Sequence, residues 1–220
     1  MRKWMKLFLI LLGLPKSLYL NLRSFPFLNA IHLPIIVSPF FRIVSTKGTI
    51  EISDTDIKFG MIKIGLSGFG LSLHNPCVLQ NNGRIVFKGR CEIGGGTRIT
   101  CFGGVLEIGD GCTFTGDCII CAKKRISIGQ DCLISWNTQI MDSDYHQIKV
   151  DGMVINDDEE VIISDHVWIC SNVTVLKGTK LGRNNVVGSM SLLNREINGD
   201  NIVIMGNPPK VVRYNIEWRK

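Results

Sequence analysis

The chain has 220 residues, 45% of them hydrophobic and 20% charged, with a formal net charge of +6 and eight cysteines. That length and balance exclude a disordered or fibrous polypeptide and leave one domain with a sizeable core. No apolar run approaches the roughly 20 residues of a membrane span.

Residues 1–46 form a basic, apolar N-terminal segment. Residues 1–50 hold Arg2, Lys3, Lys6, Lys16, Arg23, Arg42 and Lys47 and no acid, so the rest of the chain is near neutral against the overall +6. Residues 7–12 are unbroken aliphatics and Phe, and Pro15 is expected to end a short helix soon after them. No small-residue cleavage site follows, which argues against a signal peptide. The helix either packs on the first coil of whatever follows or lies on an anionic membrane surface, a peripheral contact through residues 1–42. Residues 47–83 read as a β-rich lead-in, with Lys58-Phe59-Gly60-Met61-Ile62-Lys63-Ile64-Gly65 running into a Gly-rich turn.

From residue 84 a phrase recurs: Ile93-Gly94-Gly95-Gly96-Thr97-Arg98-Ile99, Ile108-Gly109-Asp110-Gly111-Cys112-Thr113-Phe114, Ile128-Gly129-Gln130-Asp131-Cys132-Leu133-Ile134, Ile163-Ser164-Asp165-His166-Val167-Trp168-Ile169 and Leu181-Gly182-Arg183-Asn184-Asn185-Val186-Val187. An aliphatic opens each copy, a compact residue stands fifth and an apolar residue seventh. A six-residue apolar period fits neither an amphipathic helix nor a two-sided sheet; it fits an all-β solenoid with flat faces of about six residues and coils of about 18. Successive first positions lie 15, 20, 35 and 18 residues apart, so the 35-residue interval holds one or two coils interrupted by an excursion. That excursion, 143–160, is where a site is expected, because loops thrown out of a rigid stack carry function. Within it, Asp157-Asp158-Glu159-Glu160 reads as a solvated acidic run.

The cysteines have bland places. Cys112 and Cys132 share the compact inward slot, and Cys118 and Cys121 would point to opposite faces of a strand, with no second C-x-x-C to complete a zinc set. Cysteine without a disulfide framework suits a reducing cytoplasm. The solenoid offers only His146 and His166, while His32 and His74 precede it, so a three-imidazole zinc site is not supported and no metal is expected. The basic residues are spread among aliphatics, so nucleic acid is not an expected partner.

The repeats, Asp142-Ser143-Asp144-Tyr145-His146-Gln147-Ile148, Val167-Trp168-Ile169-Cys170-Ser171 and Met205-Gly206-Asn207-Pro208-Pro209-Lys210-Val211-Val212-Arg213 together resemble the hexapeptide-repeat acyltransferases. The branch they resemble contains the maltose, galactoside and xenobiotic O-acetyltransferases and those of capsule or lipopolysaccharide. The resemblance spans roughly residues 84–213. It implies a left-handed parallel β-helix over 84–205, an exception to the usual right-handed crossover, and a homotrimer. Residues 206–220 are then a C-terminal tail, with a turn at 206–209 and a short helix over 211–220.

Acetyl transfer from a thioester to a hydroxyl needs a base near neutrality, and imidazole, with an unperturbed pKa of about 6.5, is the natural side chain. The resemblance makes His146 that base. Asp144 is the candidate to orient the imidazole or to bind acceptor hydroxyls, with the turn-forming reading open beside it; Asp142 is a weaker candidate of the same kind. For acetyl-CoA the resemblance implies Trp168, Ser171, Ser189, Arg195, Lys210 and Arg213, the basic residues suiting phosphates. Two departures stand near that donor path: Cys170 in place of glycine, and Gly188-Ser189-Met190-Ser191 in place of a Gly-Ala-Gly-Ser turn. The expected function is acetyl-CoA-dependent O-acetylation of a carbohydrate hydroxyl in surface polysaccharide assembly. The setting is the cytoplasm or the inner face of the membrane, and the alternative is N-acylation of an amino sugar or small molecule on the same scaffold.

Overall fold

A computed structural model describes residues 3–54, 56–66 and 75–220. The expected Gly-rich turn, and His74, lie outside the described residues. The remainder is a three-faced prism of parallel strands. The first face has nine strands, running from Ile35–Val37 through Cys91–Ile93, Leu133–Ile134 and Trp168–Ile169 to Val203–Met205 and Lys210–Arg213. The second face has seven, from Arg42–Thr46 to Leu192–Leu193, and the third has seven, from Thr49–Ile52 to Glu196–Ile197. This repeating parallel architecture is consistent with a left-handed β-helix. Pairing already begins at Ile35, so the stretch 47–83 supplies strands to the first coils instead of standing apart from them.

Each face is short because each coil must turn three corners, and the corners demand a left-handed backbone. Between the third and first faces that conformation falls on Gly111, Asp131, His166, Asn184 and Asn201; between the first and second it falls on Gly96, Asp117, Asn137, Asn172 and Met190. Gly, Asn and Asp tolerate it best, which is why they punctuate the repeat. Inside, identical positions stack in register: Val37, Ile64, Ile93, Phe114, Ile134, Ile169, Val187 and Ile204 form one unbroken column down the first face. All are at most 4% exposed. Burying each such side chain is worth about 1.5–3 kcal/mol, and one column serves all coils, so stability accumulates along the stack.

The compact slots explain the cysteines. Cys91, Cys112 and Cys132 stack at the start of first-face strands, and Cys118 opens a second-face strand; all four are buried. Cys121 points the other way and is half-buried, and all eight cysteines are free. Burial pushes the Cys77 and Cys118 thiols up to about 12 and about 11, so they pack as small hydrophobes. Among the described residues no group of His, Cys, Asp and Glu could hold a metal ion.

Two expectations at the termini need correction. N-terminal helices form as expected, but Pro15 does not end the first: α1 spans Lys3–Ser24 with Pro15 inside it, followed by α2, Phe27–Ala30. Pro15 is tolerated because it lies on the exposed side, where water can reach the carbonyl it leaves without a donor. What holds α1 is the open edge of the first coil. Val37 N–H donates to Ser17 Oγ at 3.0 Å, and Asn21 takes the Ile35 N–H at 3.1 Å while donating to the Ile35 carbonyl at 2.7 Å. Ser17 and Asn21 are fully buried, so this edge finds side-chain partners in place of another strand. Gly13 makes the approach possible, since a Cβ there would sit 2.1 Å from the Val37 carbonyl oxygen. No helix among the described residues is long and apolar enough to cross a membrane.

The C-terminal helix does not form. Lys210–Arg213 instead pairs antiparallel with Val203–Met205, covering the last edge of the first face. The tail then runs back along the corner between the third and first faces. Ile216 N–H donates to the Asn201 carbonyl, Trp218 Nε1 to the His166 carbonyl at 3.0 Å, and Lys220 Nζ to the Gly111 carbonyl. The reason is nonlocal: these partners are spread over several coils, and an extended chain reaches them where a helix could not.

Candidate active site

His146 sits where the sequence predicts a site, in an excursion between the second-face strand Gln139–Met141 and the third-face strand Val161–Ile163. The registers Ile128 to Ile163 and Gln139 to Thr174 show that the 35-residue interval is a single coil carrying this loop. A two-stranded hairpin, Lys149–Val150 with Met153–Val154, forms its tip. The tip is apolar and open: Ile148, Val150, Met153 and Ile155 are all at least half exposed.

The base of the loop is latched by acids. Asp142 is fully buried, and its carboxylate accepts the N–H groups of Lys123 and Lys124 at 2.8 and 2.9 Å. It closes the turn of the preceding coil and does not face the loop. Desolvation pushes its carboxyl up, opposed by those backbone donors. The acidic run is less solvated than the sequence suggests. Asp158 pairs with Lys123 at 3.0 Å, and Glu160 reaches Arg125 at 3.6 Å. A hydrogen bond from Ser143, then Lys123, holds the Asp158 carboxyl below its ordinary value. These residues staple the returning strand of the loop to a basic corner, 123–125.

Lys177 secures the middle of the loop. Its ammonium donates to the carbonyls of Asn156 and Asp157 at 2.8 and 3.0 Å and pairs with Asp144 at 2.7 Å. Asn156 continues the connection, donating to Asp144 Oδ2 at 2.8 Å and to the His146 carbonyl at 2.9 Å, and accepting the Ile148 N–H at 2.6 Å. Asp144 is therefore joined to His146 through Asn156 and the backbone, with no bond to the ring. The hydrogen bond from Lys177, then that from Asn156, holds its carboxyl low. Tyr145 anchors the other side, its ring edge-on to Phe102 at 5.7 Å. The imidazole of His146 is exposed, and no hydrogen bond to it is seen among the described residues. The result is a basic side chain with both nitrogens available on a backbone held from three directions.

The residues expected for the donor lie elsewhere. Trp168 is half-buried on the first face, with Nε1 donating to Ser135 Oγ at 3.1 Å and its ring 5.8 Å from Trp218. Ser171 and Ser189 occupy successive turns between the first and second faces, joined by the Met190 N–H donating to the Ser171 carbonyl at 3.3 Å. Arg195, at the far edge of the second face, donates to the Pro209 carbonyl at 3.3 Å, beside the exposed Lys210 of the terminal strand that also carries Arg213. The sequence-predicted residues do not form one cluster: His146 and Asp144 stand at the corner between the second and third faces, Ser171 and Ser189 at the corner between the first and second, Arg195 at the second-to-third corner of the last coil, and Lys210 and Arg213 on the terminal strand of the first face. Sequence reading missed Lys177, Asn156 and Tyr145. Tyr145 adjoins the histidine and could have been found, but nothing local marks Lys177 or Asn156.

No family model matches the chain. The chain is 34% identical over 185 residues to the polysialic acid O-acetyltransferase of Neisseria meningitidis, covering 83% of this chain and 70% of that one. It is 32% identical over 160 residues to WbbJ of Escherichia coli (strain K12), provisionally named as a lipopolysaccharide biosynthesis O-acetyl transferase, over 66% of this chain and 81% of that one. In fold it resembles the crystal structure of the polySia specific acetyltransferase NeuO, with a TM-score of 0.60 and 21% identity over 85% of this chain and 79% of that one. The stacked coils, the latched histidine loop and these relatives lead to one conclusion: the chain is an acyltransferase and belongs to the hexapeptide-repeat acetyltransferase family.

Proposed function

We propose that this protein transfers the acetyl group of acetyl-CoA to a sugar hydroxyl in surface polysaccharide biosynthesis, with His146 as general base. The observation that carries the reading is the His146 ring, unpartnered among the described residues, on a loop fastened by Lys177, Asn156 and Asp158. A base must keep a nitrogen for the substrate proton, and a fastened backbone limits the geometric search at each turnover. The relatives' names supply the substrate class, polysialic acid and lipopolysaccharide.

In this reaction His146 removes the hydroxyl proton as that oxygen attacks the thioester carbonyl carbon. Collapse of the tetrahedral adduct breaks the C–S bond, and His146 returns the proton to the departing sulfur. Asp144 acts through the loop, holding Lys177 and Asn156. Trp168, Ser171 and Ser189 line the path for the pantetheine arm, and Arg195, Lys210 and Arg213 meet phosphates. Eight free cysteines suit a cytoplasmic reaction.

Because Ser171 and Ser189 stand at the edge of the second face opposite His146, the site is completed by a neighbouring copy in a homotrimer. The exposed apolar tip of the hairpin is suited to reach that neighbour. Labelled acetyl-CoA offered with a panel of sugars tests the chemistry, and product mass spectrometry identifies the acetylated hydroxyl. Light scattering tests the assembly, followed by mixing His146→Ala chains with Lys210→Ala/Arg213→Ala chains. Recovered activity in the mixture supports shared sites, whereas a fully active monomer refutes them.

A further inference from the structure

We propose that the outward face of α1 docks this protein onto an anionic phospholipid surface, an inference independent of the acetyl-transfer reading. The helix carries apolar side chains on both of its faces. Its inner face buries Leu9, Gly13, Ser17, Leu20 and Asn21 against the first coil, mixing apolar packing with the polar contacts to the strand edge. Its outer face presents Trp4, Phe8, Leu11, Leu18 and Leu22, which are 64%, 54%, 55%, 45% and 46% exposed. Their spacing of three, four or seven residues makes one continuous stripe. The stripe continues onto α2, where Phe27 and Leu28 are 68% and 72% exposed. An ordinary surface helix has a polar outer face, and a contiguous apolar strip of this length marks an interaction site.

The charge around the stripe selects the occupant. Residues 1–50 carry seven basic side chains and no acid. A second copy laid against this face would bring two such segments together, and their like charges would oppose the contact. An anionic leaflet attracts them. Lys16 is spent on the carbonyls of Pro39 and Phe41, leaving Arg23 and Arg42 among the exposed cations nearby. Trp4 and Tyr19, both exposed, are side chains that favour the headgroup region. With 22 residues, too few of them apolar for a span, α1 fits a helix lying in the plane of the interface. The two sequence readings of this segment are then compatible: one face closes the solenoid and the other meets lipid.

The test is co-sedimentation of the full chain with sucrose-loaded vesicles of phosphatidylglycerol and phosphatidylcholine, compared with phosphatidylcholine alone. The full chain is expected to sediment with the anionic vesicles, less so as salt rises. Leu11→Glu/Leu18→Glu should lower the bound fraction at least ~10-fold with an unchanged melting temperature, since both side chains face away from the core. Should that variant unfold, Phe8→Ser/Leu22→Ser makes the same test with a milder change. Absence of binding by the full chain, or equal binding by a folded variant, would overturn the proposal. A folded variant that instead drops in mass by light scattering would assign the face to contact between copies and overturn it equally.

Discussion

His146 and His166 lie 20 residues apart and differ in almost everything that decides what a histidine can do. His166 fills a left-handed corner with φ of 55°, its Nδ1 sits 2.8 Å from Asn184 Oδ1, and its ring stacks on Trp218 at 4.1 Å. It is a rung in a ladder that continues from Asn184 to Asn201 at 2.7 Å. His146 stands outside the stack on a loop whose backbone is bonded while its ring is left open. The regular corner consumes the hydrogen-bonding capacity of its residues to build the prism; the interrupted corner is held by Lys177, Asn156 and Asp158 and leaves the imidazole without a hydrogen bond among the described residues. A histidine's availability therefore depends on which corner it occupies, more than on its immediate neighbours in sequence.

The largest effect that would sharpen this contrast is at His146. His146→Ala is expected to lower turnover at least ~100-fold while melting like the parent, because the ring supports chemistry and no packing. Equal activity in that variant would remove the distinction between the two histidines. Next, Lys177→Met should lower kcat by about 10-fold, as the loop loses three acceptors' common donor, and Lys177→Arg should restore part of it. A change in KM for the sugar alone would show that Lys177 shapes acceptor binding and not the placement of His146.

At the donor edge, Lys210→Ala/Arg213→Ala should raise KM for acetyl-CoA by a few fold, on the order of one or two lost phosphate contacts, and leave the KM for the sugar nearly constant. His166→Asn keeps a residue that accepts the left-handed corner, so turnover should hold while the lost ring stack costs about 0.5–1.5 kcal/mol, read from denaturant midpoints. A large loss of turnover in that variant would give His166 a part in the reaction. The smallest effect concerns acid. The Asp144 carboxyl is held below its ordinary 3.8 by Lys177, so the pair adds stability above that value and loses it as pH falls through the lower folded value. Solvent screening of this partly exposed pair keeps the contribution small, and it should vanish in Lys177→Met when melting is followed from pH 5 to pH 2.

The prism was legible because a six-residue face is a local property. An aliphatic at Ile108, Ile128, Ile163 and Leu181 recurs whether or not the coils are seen, and these four residues do stack in register. The phrase at Ile93 recurs too, but it turns from the first face to the second, and the others turn from the third to the first. That is why its interval to Ile108 is 15 residues. The excursion was legible as a break in the period, and His146 as the imidazole inside the break. The contacts of Asp144 were not. Its partner Lys177 belongs to the following coil, and only the superposition of coils brings it 2.7 Å away.

By itself, the sequence determined the repeat, the inward columns, the glycine, asparagine and aspartate corners and the place where the coil opens. Each of these is a choice made within six residues by backbone conformation and burial. The tertiary structure decided the rest. α1 runs through Pro15 because Ser17 and Asn21 find the open edge at Ile35 and Val37. The tail stays extended because Trp218 finds the ring and carbonyl of His166, 52 residues earlier. Ser171 and Ser189 fall at the edge of the second face opposite His146 because a strand of that face runs between the two corners in each coil. Edges, ladders and ion pairs between coils depend on which distant residues are stacked together, and that information exists only once the chain is wound.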